Sequence, residues 1–156
     1  MNEPKSAGAD PERNRRFVID HFEDFVNRRD LGAVDRNMSV DFVDHDLANS
    51  WRLMPSDPVR ADSSTSTGKP TDRDGNREMM AALQKTFPDL RVEVRDSIAQ
   101  GDLVTVRNVW SGTDAKTGKR TEFHGFVLWR IADGKLVERW ATITPAQELD
   151  ATTLEW

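Results

Sequence analysis

The Asp133-Gly134 pair, set between the apolar, β-rich runs 121–131 and 136–143, constrains the fold of this chain more than any other feature. A two-residue turn between antiparallel strands needs φ > 0 at both central positions, which Gly adopts freely and Asp tolerates better than most residues. The pattern predicts a β-hairpin. With Asp133 and Gly134 as the turn, an ideal ladder sets Trp129 opposite Glu138, Val127 opposite Trp140 and Gly125 opposite Thr142, all on one face. Glu138, the only carboxylate between the turn and Gln147, then sits between two indoles.

At 156 residues the chain fits one domain and can bury roughly 70% of its unfolded surface without metals or disulfides. It has no cysteine, which excludes disulfides, thiolate metal sites and cysteine nucleophiles and suits a reducing cytoplasm, the expected location. Residues 1–10 are polar and read as a disordered tail, not a signal peptide. No run approaches the ~20 apolar residues of a membrane helix, so no membrane partner is expected. The net charge is −5 and the basic residues are interspersed with acids, which leaves no stripe for phosphates and makes nucleic acid an unexpected partner. Five Trp and seven Phe without a Tyr imply that several rings share one interior or line one cavity.

Asp10 as cap and Pro11 at the first position open a helix in which Phe17, Val18, His21, Phe22, Phe25 and Val26 recur at helical spacing as far as Asn27. Residues 31–38 read as a short second helix, and Val40 and Phe42 open a brief strand ending near Asp44-His45-Asp46. Periodicity then disappears over 47–74, a long loop of the kind that serves as a lid or binding loop or stays disordered, carrying Trp51, Leu53 and Met54. Residues 76–86 form a third helix with Met79, Met80, Leu83 and Phe87 on its apolar side, stopped by Pro88. Leu90, Val92, Val94 and Ile98 alternate with polar residues as in a half-buried strand. Gly101-Asp102 makes a turn, 103–111 a second strand and 112–119 a polar loop, and the hairpin completes the sheet. Strands gathered after segregated helices predict one α+β domain over 11–150, with a tail at 151–156. In it a cone-shaped, curved, mixed or antiparallel β-sheet wraps over the N-terminal and middle helices. The mouth of such a cone is wet and its floor dry, which suits a small apolar ligand.

Phe42-Val43-Asp44-His45 ends the first strand, Thr86-Phe87-Pro88-Asp89-Leu90 joins helix to strand, and Gly101-Asp102 precedes the next. Together with Phe123-His124-Gly125 and Asp133-Gly134-Lys135-Leu136-Val137-Glu138-Arg139-Trp140, these segments resemble the SnoaL-like polyketide cyclases of the nuclear transport factor 2-like superfamily, over residues 13–148. The resemblance implies an α+β cone, a homodimer or higher homo-oligomer, and a cofactor-free cyclase or isomerase acting on a small apolar or aromatic carbonyl compound of polyketide type. Aldol-type ring closure needs a carboxylate in an apolar pocket that takes a proton alpha to carbonyls and returns it. In the cyclases that role is attributed to an aspartate near the last strand, assisted by a histidine. Here 141–145 carry no acid, and the Ser/Thr-rich insertion before Asn76 is longer than in the cyclases.

Glu138 is therefore the candidate base, its plain alternative being a surface glutamate paired with an arginine. His124 and His45 are the candidate partners that polarise a substrate oxygen; His45 reads also as a strand-end histidine bonded to backbone. In the ideal register His124 faces away from Glu138 unless Gly125 is a bulge, as isolated strand glycines often are. His21, on the apolar face of the first helix, reads as a packed histidine. Trp110, Trp129 and Trp140 are candidate cavity walls for a flat ligand, or core. Trp51 and Met54 are candidates to close over it, or to anchor their loop. Of Arg107 and Asn108, alternating on one strand, one should face the interior and orient a carbonyl. No His-x-His or His-x3-His spacing supports a metal site, so neither metal nor cofactor is expected. A ribbon face carrying Phe126, Leu128, Val137 and Ile143 is apolar enough to predict burial in a dimer. A non-catalytic ligand-binding or oligomer-forming domain of the same fold is the alternative function.

Overall fold

Helix α1 (Pro11–Phe22) opens where the Asp10 side chain accepts a hydrogen bond from Arg13 N at 3.1 Å, with Pro11 at its first turn. The computed structural model describes residues 10–47, 71–144 and 147–148. The helix runs on through Glu23–Asn27 as a π-helical turn in which Arg28 N bonds Glu23 O, and both Phe25 and Val26 are buried there. Asn27 ends it by exchanging two hydrogen bonds, 2.9 and 3.0 Å, with the backbone of Val92. That bond pair clamps the helix end to strand β2 (Arg91–Gln100).

A short α2 (Ala33–Asn37) leads into β1 (Met38–Asp44). Helix α3 (Asp72–Thr86) starts four residues before the position expected from periodicity. Its cap is Thr71, whose hydroxyl accepts from Asp74 N at 3.1 Å and donates to Asp74 Oδ2 at 2.7 Å. Such a reciprocal cap outweighs the weak apolar signal of its first turn. Strands β3 (Leu103–Thr113), β4 (Arg120–Ala132) and β5 (Lys135–Ile143) follow, and a two-residue β6 (Gln147–Glu148) pairs with β4.

The sheet order is β1-β5-β4-β3-β2, antiparallel throughout except for the parallel β1–β5 pair, so it is mixed and unclosed. The curved sheet packs α1 and α3 against one face, the α+β cone expected from the sequence. Val18, Phe22 and Val26 from the first helix and Met79, Met80 and Leu83 from α3 meet Val104, Val106, Phe123, Val127 and Leu136 from the sheet. Burying each such side chain contributes about 1.5–3 kcal/mol relative to exposure. Among the described residues no helix is long and apolar enough to cross a membrane.

The hairpin turn has positive φ at both Asp133 (50°) and Gly134 (72°), as its dipeptide requires. Its ladder departs from the ideal one. Ala132 pairs with Lys135 and Ile131 with Leu136, but Arg130 then pairs with Glu138, leaving Val137 as an extra residue on β5. The bulge shifts everything beyond it by one: Trp129 faces Arg139, Leu128 faces Trp140 and Phe126 faces Thr142. The ideal pairing of Trp129 with Glu138, Val127 with Trp140 and Gly125 with Thr142 is thereby replaced.

Candidate functional site

The bulge decides which β5 side chains meet the helices. Leu136 and Arg139 are buried on the inner face, whereas Glu138 and Trp140 stand on the outer one. Glu138 is not between two indoles. Its carboxylate accepts from Arg130 Nε at 3.1 Å and from His45 Nε2 at 2.9 Å, and Arg130 also reaches Asp102 at 3.2 Å. His45 stacks on Trp140, centroids 4.8 Å apart and ring planes nearly parallel, and the Arg130 guanidinium lies 5.9 Å from the same indole. So the structure brings Glu138 and His45 together, but on the far side of the sheet from the helices and half exposed to solvent.

His124 is on that outer face too, bonded to Glu122 Oε1 at 2.8 Å. It stands several residues along β4 from Arg130, the partner of Glu138. Gly125 is no bulge: it pairs with Asn108 and Ile143, and a Cβ there would lie 2.5 Å from Asn108 Oδ1. Of the alternating pair, Asn108 is fully buried and accepts from Trp110 Nε1 at 3.0 Å, while Arg107 faces outward to Asp96 at 2.6 Å. Ile143, expected on the outer ribbon face, lines the interior instead, again because of the bulge. Trp51 and Met54 lie outside the described residues.

The interior holds a cavity of about 30 Å³ between the helices and the sheet. Phe25, Met80, Leu83, Trp110, Phe123 and Trp129 form its apolar walls, and His21, Asn76 and Arg139 are its polar lining. Trp110 and Phe123 stack at 5.5 Å, so two of the three expected indole walls are present and Trp140 is not one of them. Arg139 Nη1 donates to both oxygens of Asp44, at 3.0 and 2.9 Å, and the Asp44 side chain is completely buried. Asn76 Nδ2 and Asp46 N donate to the same carboxylate, each at 3.0 Å. This pair was missed in the sequence because the face of Arg139 depends on the bulge and because Asp44 reads as a strand-end acid.

Among the described residues the buried side-chain atoms without a hydrogen-bond partner are all nitrogens: His21 Nε2, Arg73 Nε, Asn108 Nδ2 and Trp129 Nε1. A buried donor left unpaired costs about 1–3 kcal/mol, so such atoms call for an acceptor. Burial, followed by the charges of Arg36 and Arg139, pushes the pKa of His21 down to about 3, leaving a neutral ring. A larger, open groove of about 410 Å³ lies near Arg91, Arg95, Arg120 and Glu122 and contains none of the residues expected at the site. Among the described residues no group of three or more His, Asp or Glu side chains is placed to hold a metal ion.

Comparison with known proteins places this geometry in a family. IdmH from Streptomyces antibioticus, a putative polyketide cyclase, is 28% identical, with 84% of this chain and 91% of that one covered at a TM-score of 0.65. AclR from Streptomyces galilaeus, a putative hydroxylase, shares the fold at 23% identity, with 86% and 80% covered and a TM-score of 0.65. So does a SnoaL-like polyketide cyclase from Agrobacterium tumefaciens, at 14% identity, 84% and 91% coverage and a TM-score of 0.62. A search of curated proteins finds no match. The model of the SnoaL-like domain matches residues 18–139, from the middle of α1 to the buried arginine of β5, and the chain belongs to the SnoaL-like family of the nuclear transport factor 2-like superfamily.

Proposed function

We propose that this chain is a cofactor-independent cyclase or isomerase that works on a small, largely apolar carbonyl compound from the interior of the cone, by aldol-type acid/base chemistry. The observation that carries this reading is a buried cation backed by a buried carboxylate beside aromatic walls: Arg139 lines the cavity and Asp44 holds it from behind. Enolisation removes a proton from the carbon next to a carbonyl and leaves negative charge on the oxygen. A guanidinium in a dry cavity meets that charge without solvent reorganisation, and the interaction is worth far more there than in water. The 28% identity to IdmH supports the cyclase class.

Asp44 takes the place of Glu138 as the assigned proton acceptor, because it is the buried carboxylate among the described residues. Its oxygens are shared with Arg139, Asn76 and the Asp46 amide, so this role requires the guanidinium to turn from Asp44 toward the substrate oxygen. The same full set of partners suits a structural carboxylate, which is the observation favouring a binding-only domain. Deuterium uptake from D2O at the α-carbon of 1-indanone separates the two. The wild type should catalyse uptake, Asp44→Asn should lose 10²-fold or more, and Glu138→Gln should retain the rate. Binding of 1-indanone without any uptake would establish the non-catalytic domain. The assembly assigned to the chain is a cytoplasmic homodimer joined through the outer sheet face.

A further inference from the structure

His21 has one ring nitrogen engaged. Asn37 Nδ2 donates to its Nδ1 at 3.0 Å, so Nδ1 is the acceptor and the hydrogen of the neutral imidazole sits on Nε2. That Nε2 is buried and unpartnered, and so is the indole nitrogen of Trp129, which can only donate. Both residues line the same cavity, and their rings are in edge contact, centroids 5.8 Å apart at 76°. The Arg139 guanidinium lies 5.7 Å from the Trp129 ring. Two donors and a cation thus line one cavity, and among the described residues no buried side-chain acceptor is left unpaired. A ligand atom carrying partial negative charge, and no hydrogen of its own, matches that set.

We propose that His21 and Trp129 form a donor pair that binds one carbonyl oxygen of the ligand and fixes its orientation in the cavity. This rests on the interior being the ligand site. A void of about 30 Å³ has room for one water or for the oxygen end of a ketone or ester, so the body of the ligand lies beyond it. A hydrocarbon of the same shape leaves both donors unpaired, an ammonium group opposes them and Arg139, and a hydroxyl brings a hydrogen for which the described cavity lining leaves no unpaired buried side-chain acceptor. The polarised carbonyl is also the one whose α-protons become easier to remove. His21 and Trp129 are thereby specificity residues for an oxygen acceptor.

The test compares 1-indanone with indane, which has the same rings without the oxygen, by NMR on protein with labelled methionine methyl and tryptophan indole groups. Both probes should move the Met79 and Met80 methyl signals, and 1-indanone alone should move the Trp129 indole N–H downfield. Trp129→Phe, which keeps a ring in place, should weaken 1-indanone about tenfold and leave indane unchanged. The ring nitrogens of His21 should show the Nε2–H tautomer throughout. Methyl shifts with a static indole signal, or equal loss of both probes in Trp129→Phe, would overturn the donor pair and leave the interior site standing. If neither probe moves the methyl signals, the interior site and the donor pair fail together.

Discussion

Two neighbouring residues, Glu138 and Arg139, exchange the roles their order in the sequence suggests. Glu138 pairs with Arg130 and His45 on the solvent side of the sheet, and exposed pairs of this kind contribute roughly 0–1 kcal/mol. Glu138→Gln should therefore shift the urea midpoint by an amount corresponding to less than about 1 kcal/mol. Asp44 and Arg139 are the reverse case, because removing one partner strands a buried charge. Asp44→Ala should cost about 3–5 kcal/mol in equilibrium unfolding, while replacing both partners by apolar residues of similar volume should recover much of that loss. His21 gives the pH dependence. Its folded pKa of about 3 lies below the ~6.5 of an unfolded imidazole, so below pH ~6.5 the unfolded chain binds a proton the native one refuses. Its contribution is complete above pH ~6.5 and is lost as pH falls toward about 3. Denaturant unfolding from pH 7 to 4 should show a shallower slope in His21→Leu than in the wild type. Burial of Trp129 was legible from alternation along β4, whereas alternation along β3 required one of Arg107 and Asn108 to face inward without saying which. The donor role of His21 was not, since a packed histidine and a ligand-facing one have the same helical spacing.

At the scale of elements, the turn and its two flanking strands were written in the dipeptide and the apolar runs, and the helices in their caps and periodicity. The single extra residue at Val137 was not. A bulge adds no distinctive residue type, yet it turns every side chain beyond it to the other face. Deleting Val137 should remove the bulge while keeping Arg130 opposite Glu138 and Trp129 opposite Arg139, so both faces of β5 and cooperative unfolding, followed by near-ultraviolet circular dichroism, should persist. Gly125 is the second element-level determinant, open in the sequence to a bulge and used in the structure for close approach. Adding a Cβ 2.5 Å from Asn108 Oδ1 in Gly125→Ala should cost about 1–3 kcal/mol and displace the amide that receives the Trp110 indole hydrogen. Thermal unfolding with Trp fluorescence reads both effects.

The whole molecule presents two unlike faces of one sheet. The inner face closes on the helices around Arg139; the outer carries a cross-strand row of Ile98, Thr105, Leu128 and Trp140 beside Phe126, with Ile98 67% and Phe126 60% exposed. Apolar side chains in such a row favour contact with a second copy. Sedimentation at micromolar concentration should show a dimer, and Phe126→Lys a monomer with unchanged far-ultraviolet circular dichroism. The α+β architecture was legible because its signals are local, whereas the site was only partly so, because it gathers α1, β1, α3 and three strands whose facing depends on one bulge. If ligand chemistry belongs to the inner face, a titration of 1-indanone followed by NMR on both faces at once should shift Met79, Met80 and Trp129 and leave His45 and Trp140 unmoved. Shifts confined to His45, Glu138 and Trp140 would place the ligand on the outer face instead.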